Sequence, residues 1–196
     1  MTKNILLETL VKIVSIAQDR KIKIVIMGGL ATSVYSPPRA TFDIDCIANI
    51  DEEGLFDFLG ALYKKGFTYD KENPIKIIQG LPFVTLYYSK FKVYVDLFLA
   101  RSDFQIQIVN RSRSVKVDAL RLNIISPEDL VLVKLLTGRS KDTEDIRQIL
   151  VENADKLDFE YLNRCSNNLG VNVFLQDEMN SLRINFPKSQ SRGKQG

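Results

Sequence analysis

Three aspartates stand in strand-like surroundings where a charge needs a reason. Asp43 and Asp45 flank Ile44 in TFDIDCIA, and Asp96 interrupts the apolar run VYVDLFLA. Residues two apart on a strand share a face, so both acids of the pair would point one way and Ile44 into the core. Two carboxylates that close repel, and one is driven to take up a proton unless a cation lies between them. Mg²⁺ suits such a pair, since it takes oxygen ligands and shares carboxylates with substrate phosphates. A charge in the middle of an apolar strand, as at Asp96, is costly unless paired or coordinated. If the two strands are neighbours, three carboxylates converge on a two-metal site for in-line phosphoryl displacement. Asp96 would then stand near the attacking hydroxyl and accept its proton. The opposing reading makes Asp43 and Asp45 solvent-facing acids on an edge strand, with Arg39 as ion-pair partner.

Composition narrows the chemistry further. The chain has 196 residues and no histidine. A Ser-His-Asp triad, a Cys-His pair and a His-ligated zinc are thereby excluded. Carboxylates, lysines or a hard metal must do any catalysis. The net charge of +3 is too small to argue nucleic-acid binding alone, but it permits an anionic substrate. With 45% hydrophobic and 26% charged residues the chain reads as an ordinary globular protein, one domain with a small helical appendage. The N-terminal run NILLETLVKIVSIAQDR is an amphipathic helix, too polar and short to span a membrane. With no secretory signal, a cytoplasmic location, no membrane partner and two reduced, buried thiols (Cys46 and Cys165) are expected.

The elements that must hold the acids follow from periodicity. KIKIVIM reads as a buried strand broken by Gly28-Gly29, and LATSVYS as a short helix stopped by Pro37-Pro38. ATFDIDCIANI is the next strand, and DEEGLFDFLGALYKKG an amphipathic helix with Gly66 as its C-cap. PIKIIQG, FVTLYYSK and FKVYVDLFLA are three further strands, the last two a hairpin turning near Ser89-Lys90. RSDFQIQIVNRS is a short helix, and SVKVDALRLNIIS one or two strands. Beyond Ser126, a predicted helix cap, four helical stretches follow, and a polar, basic tail over residues 186–196 is expected to be disordered. The division is an α/β core over 1–125 and a helical part over 126–185. In the first of those helices Leu130, Val133 and Leu136 are the expected buried face. Tyr87, Tyr88 and Tyr94 can stack a base, but strand tyrosines ordinarily pack half-buried, and none is assigned to the site.

A strand, a glycine pair and a helix start form an arrangement suited to phosphate, because the backbone can approach closely and helix N–H groups point outward. Neither GxxxxGK nor GxGxxG is present. The stretch IVIMGGLATSVYSPPRATFDIDCIA, with VYVDLF downstream, resembles the polymerase beta-like nucleotidyltransferase superfamily. Its GG…RxTxDID form looks like the minimal nucleotidyltransferases, including toxin-type members of toxin–antitoxin systems. A second block, SPEDLVLVKLLTGRSKDTEDIRQIL over residues 126–150, is similar to that subgroup's helix with a central lysine.

The resemblance implies an α+β fold: a mixed sheet flanked by helices, with a helical C-terminal part. It implies that Gly28 and Gly29 contact a nucleoside triphosphate, and that Asp43, Asp45 and Asp96 hold two Mg²⁺ ions, with Mn²⁺ as a substitute. Arg39 and Thr41 would steady the turn, and Lys134, Lys141 and Asp142 would lie near the nucleotide. The implied reaction moves a nucleoside monophosphate from an NTP to a hydroxyl of RNA (tRNA for some toxin-type members), a protein or a small molecule, with an antitoxin-type protein as a further partner. Two departures stand out. Gly29 replaces the serine that can offer a hydroxyl to phosphate, and Pro37-Pro38 stiffens the loop before Arg39. The bland reading of the second block is a packed helix pair in which Lys134 is a solvated lysine. The rival functions are a non-catalytic nucleotide-binding partner subunit and a metal-dependent phosphohydrolase.

Overall fold

The computed structural model describes residues 2–78, 80–117 and 120–184. The expected disorder of the tail therefore falls outside the described residues. The chain forms two compact units, Met1–Ser126 and Pro127–Gly196.

The first unit runs α1 (Thr2–Gln18), β1 (Ile24–Met27), α2 (Gly28–Tyr35), β2 (Ile44–Ala48), α3 (Glu52–Lys64), β3 (Phe67–Thr68), β4 (Lys76–Ile78), β5 (Leu81–Tyr88), β6 (Val93–Leu99), α4 (Asp103–Arg111), β7 (Arg113–Val117) and β8 (Leu120–Ile124). Its strands make one mixed sheet in the order β3-β5-β6-β2-β1-β8-β7, with β4 also paired to β5. The β2–β6 and β1–β8 pairs are parallel and the rest antiparallel. The acid-bearing strand β2 is thus interior, between β6 and β1, which overturns the edge-strand reading. The ladder is shorter than expected, because it begins at Ile44 and leaves Asp43 outside it, exposed. The last β1–β2 pair is Met27 with Asp45, and β2 begins one residue earlier, at Ile44 opposite Val95 of β6. The two-residue β3 is an element the sequence pattern does not reveal.

Alternation assigns the faces. On β5 and β6, Val84, Leu86, Tyr88, Val93, Val95, Leu97 and Leu99 are buried, with partly or well exposed residues between them. Tyr88 stacks on Phe67 at 4.3 Å, and Lys12 of α1 lies 5.4 Å from the Tyr88 ring centroid. Helix α3 is capped by Asp51, whose carboxylate accepts from Gly54 N at 2.8 Å, with Glu52 and Glu53 in its first turn. No described helix is long and apolar enough to cross a membrane. Cys46 and Cys165 are both buried free thiols.

The second unit holds α5 (Pro127–Thr137), α6 (Ser140–Glu152), α7 (Phe159–Asn168) and α8 (Asn172–Ser181). Its first helix is buried nearly all round through its first two turns; Leu130 is inside as its spacing suggests, Val133 is half-buried, and only Leu136 of the expected face is exposed. Pro127, Leu130, Val131 and Lys134 are buried, and Leu136 is 43% exposed. Lys134 is only 3% exposed and donates to Asp142 Oδ1 at 3.0 Å and Asp145 Oδ2 at 2.6 Å, so the solvated-lysine reading fails. Asp142 also accepts from Arg139 Nε at 2.6 Å and Thr137 Oγ1 at 3.0 Å. The inward lysine thus meets two carboxylates on α6. Nearby, buried Tyr161 donates its hydroxyl to buried Asp129.

Burial pushes the Asp142 carboxyl up, but hydrogen bonds from Arg139 and Lys134, the Lys134 charge and the Thr137 hydroxyl outweigh it and hold the group below its ordinary range. The lowered group stabilises the fold fully above the ordinary carboxylate range, and that contribution fades as pH falls through the lowered pKa. Urea midpoints taken from pH 7 downward will show this loss in the wild type, and Asp142→Asn will flatten it. Lys134→Met, which strands two buried carboxylates, will lower stability by about 3–5 kcal/mol at neutral pH. A midpoint unchanged at constant m-value would contradict that assignment.

Candidate active site

Asp45 and Asp96 are direct partners in the parallel β2–β6 ladder. Neighbouring strands lie about 4.8 Å apart, and paired residues share a face. The two carboxylates therefore stand side by side, both half-buried, on the face opposite to Ile44 and Cys46, which are fully buried. Asp43 leaves the ladder one residue before Ile44, itself paired with Val95. The strand alternation that would have aligned Asp43 with Asp45 thus does not extend to it.

Thr85 is a contributor that sequence reasoning missed. It pairs with Asp96 across β5 and β6, and its hydroxyl donates to Asp96 Oδ1 at 2.8 Å. The available signal was its place as a polar residue in FVTLYY, but nothing in the sequence states which residue it opposes.

Gly28 explains its own identity. Its φ is +62°, and a Cβ there would come 1.9 Å from Asp45 Oδ2. Both the left-handed backbone and the space beside the carboxylate demand glycine. Gly29 is similarly crowded: a Cβ would stand 2.8 Å from Thr41 Oγ1 and 3.7 Å from Arg39 Nη2. Arg39 and Thr41 therefore gather at the start of α2, where Thr41 also donates a long hydrogen bond of 3.4 Å to the Asp43 carbonyl. Inside that helix Thr32 and Ser33 donate to the Gly28 and Gly29 carbonyls at 3.0 and 3.1 Å. The preceding residue, Met27, places no side-chain cap on the helix. The first N–H groups of any helix lack intrahelical acceptors, and here they lie beside the acidic pair.

In the helical unit, Lys134 and Asp142 are spent on each other and on Asp145, as described, while Lys141 is exposed on α6. Elsewhere in the first unit a cavity of about 370 Å³ is lined by residues of α1, α3 and the turns that follow them, including the Arg20–Asp57 ion pair. None of the candidate site residues lines it.

The donor set decides what the acidic pair could hold. Among the described residues, no three His, Cys, Asp or Glu side chains already converge on a common metal position. Asp45 and Asp96 nonetheless supply adjacent carboxylate oxygens, which suit a hard cation completed by substrate oxygens. Cys46 adds nothing soft, because burial and the neighbouring Asp45 charge both push its thiol pKa far upward.

Solved structures share this fold at low identity. TM1012 of Thermotoga maritima is 20% identical with a TM-score of 0.54, covering 78% of this chain and 96% of its own. ANT(2'')-Ia, solved in complex with adenylyl-2''-tobramycin, is 15% identical with a TM-score of 0.57, covering 85% and 98%. The lincosamide antibiotic adenylyltransferase LnuA, lincomycin-bound, is 16% identical with a TM-score of 0.51, covering 72% and 94%. No curated protein matches the sequence. The family described as nucleotidyltransferase of unknown function (DUF6036) matches residues 5–194, nearly the whole length, and the chain belongs to that nucleotidyltransferase family.

Proposed function

We propose that the protein transfers a nucleoside monophosphate from an NTP to an acceptor hydroxyl, using Mg²⁺ held by Asp43, Asp45 and Asp96. The observation that carries this reading is the in-register pairing of Asp45 with Asp96, with Gly28 pressed against Asp45. Two ions, replaceable by Mn²⁺, would supply charge neutralisation at the triphosphate and activation of the hydroxyl when bound. Asp96, oriented by the Thr85 hydroxyl, accepts the proton of the attacking hydroxyl. A bond forms between the acceptor oxygen and the α-phosphorus, the bond to the α,β-bridging oxygen breaks, and pyrophosphate leaves. The N–H groups at Gly28 and Gly29 bind the triphosphate, with Arg39 and Thr41 fixing the loop around them. Lys134 and Asp142 act by holding α5 to α6. The motif resemblance adds an antitoxin-type protein partner to the proposal.

Label transfer from α-labelled NTPs, with Mg²⁺ and a mixture of cellular acceptors, tests the reading. Asp45→Asn and Asp96→Asn will each lower transfer by about 10²–10⁴-fold while circular dichroism stays unchanged. Transfer retained in both variants sinks the assignment, and free phosphate released without any acceptor product would mark a phosphohydrolase instead. Gly28→Ala forces the Asp45 carboxylate aside, and a displacement of that size will lower kcat by about 10²-fold. An alanine variant with wild-type kcat would show that the Gly28–Asp45 approach is not functional.

A further inference from the structure

The face of the sheet that bears Asp96 also carries an aromatic row. Across β5 and β6 the pairs Phe83–Phe98, Thr85–Asp96 and Tyr87–Tyr94 lie side by side. The Phe83 and Phe98 rings stack at 5.5 Å, and the Tyr87 and Tyr94 rings meet at 5.0 Å with a 44° tilt. Asp96 is thus bracketed by aromatic pairs, each two residues away along the strand, or about 7 Å. Tyr94 is 56% exposed, unlike Tyr88 on the opposite face, which is buried against Phe67. An aromatic pair that served only the core would be covered as Tyr88 is. Beyond the tyrosine pair the chain turns through exposed Lys90 and Lys92.

We propose that the Tyr87–Tyr94 pair is a stacking platform for the terminal nucleobase of a single-stranded RNA acceptor, whose sugar hydroxyl it presents to Asp96. The proposal rests on the transfer reaction above and names its acceptor. Base stacking on an exposed aromatic is tolerant of sequence, because every base presents a π-face. The step from the tyrosine pair to Asp96 is one that the sugar of a single nucleotide spans. Lys90 and Lys92 lie on the side away from the carboxylates, where the preceding phosphates would run, and their charge complements that strand. A polycationic small acceptor would meet those lysines unfavourably.

Binding of a short 5′-fluorescein-labelled single-stranded RNA to the full chain, followed by anisotropy without NTP, tests the platform. Tyr94→Ala will weaken binding about tenfold, Tyr94→Phe will bind as the wild type does, and affinity for a fluorescent ATP analogue will be unchanged in both. In transfer assays Tyr94→Ala will raise the RNA KM and leave kcat nearly intact. Equal RNA affinity in Tyr94→Ala and wild type overturns the platform, as does an alanine effect on ATP-analogue binding alone. Label delivered to protein or small molecules but not to RNA also overturns it. Tyr94-dependent RNA binding with no transfer to any acceptor supports the platform and instead refutes the nucleotidyl-transfer reading of the site.

Discussion

The parallel pairing of β2 with β6 is the constraint on which the site depends. Parallel strands cannot be closed by a tight hairpin, so β6 is reached only after the chain has passed through α3, β3, β4 and β5. What fixes the register is hydrophobic. Ile44 and Cys46 alternate with Asp45, Val95 and Leu97 flank Asp96, and all four apolar side chains are almost completely buried. A slip of one residue would turn every one of them out of the core and the acids into it. The alignment of the two carboxylates is therefore held by burial on the other side of the same strands.

The glycine turn extends that constraint to the backbone. The β1–β2 ladder ends on Met27 and Asp45, and the next residue of β1's chain swings into a left-handed conformation that opens α2. The helix start is thus brought to the acid by the same hydrogen-bonded ladder that places the acid beside Asp96. Any side chain at Gly28 would occupy the volume of the Asp45 carboxylate. Arg39 and Thr41, distant from Gly29 by ten or so residues of chain, return to it because Pro37-Pro38 stops the helix and sends the loop back toward β2.

Much of this was legible in the sequence, for identifiable reasons. The β-branched run before Gly28, the alternating β5–β6 hairpin and the acids in the first turn of α3 are local signals, and each yields its element. The nucleotidyltransferase fold was legible from GG…RxTxDID together with VYVDLF. What could not be read were facts of cross-strand register and helix rotation. Thr85 opposes Asp96 because of how a hairpin turn is counted, and Asp43 falls outside a strand whose alternation in sequence includes it. Spacing alone puts Leu136 inside, yet it is exposed while Lys134 is buried against Asp142 and Asp145, partners that no local pattern announces.

Two acidic pairs among the described residues are held in different ways. Asp142 and Asp145 are neutralised from within: Lys134 is buried between them, and Arg139 and Thr137 complete the bonds of Asp142. Such a pair has its charge cancelled and serves as a rivet between helices. Asp96 instead receives a hydroxyl, and Asp45 has its space kept open by a glycine. A neutral donor orients a carboxylate without cancelling its charge, whereas the buried lysine of the helical unit cancels charge on the carboxylates it joins.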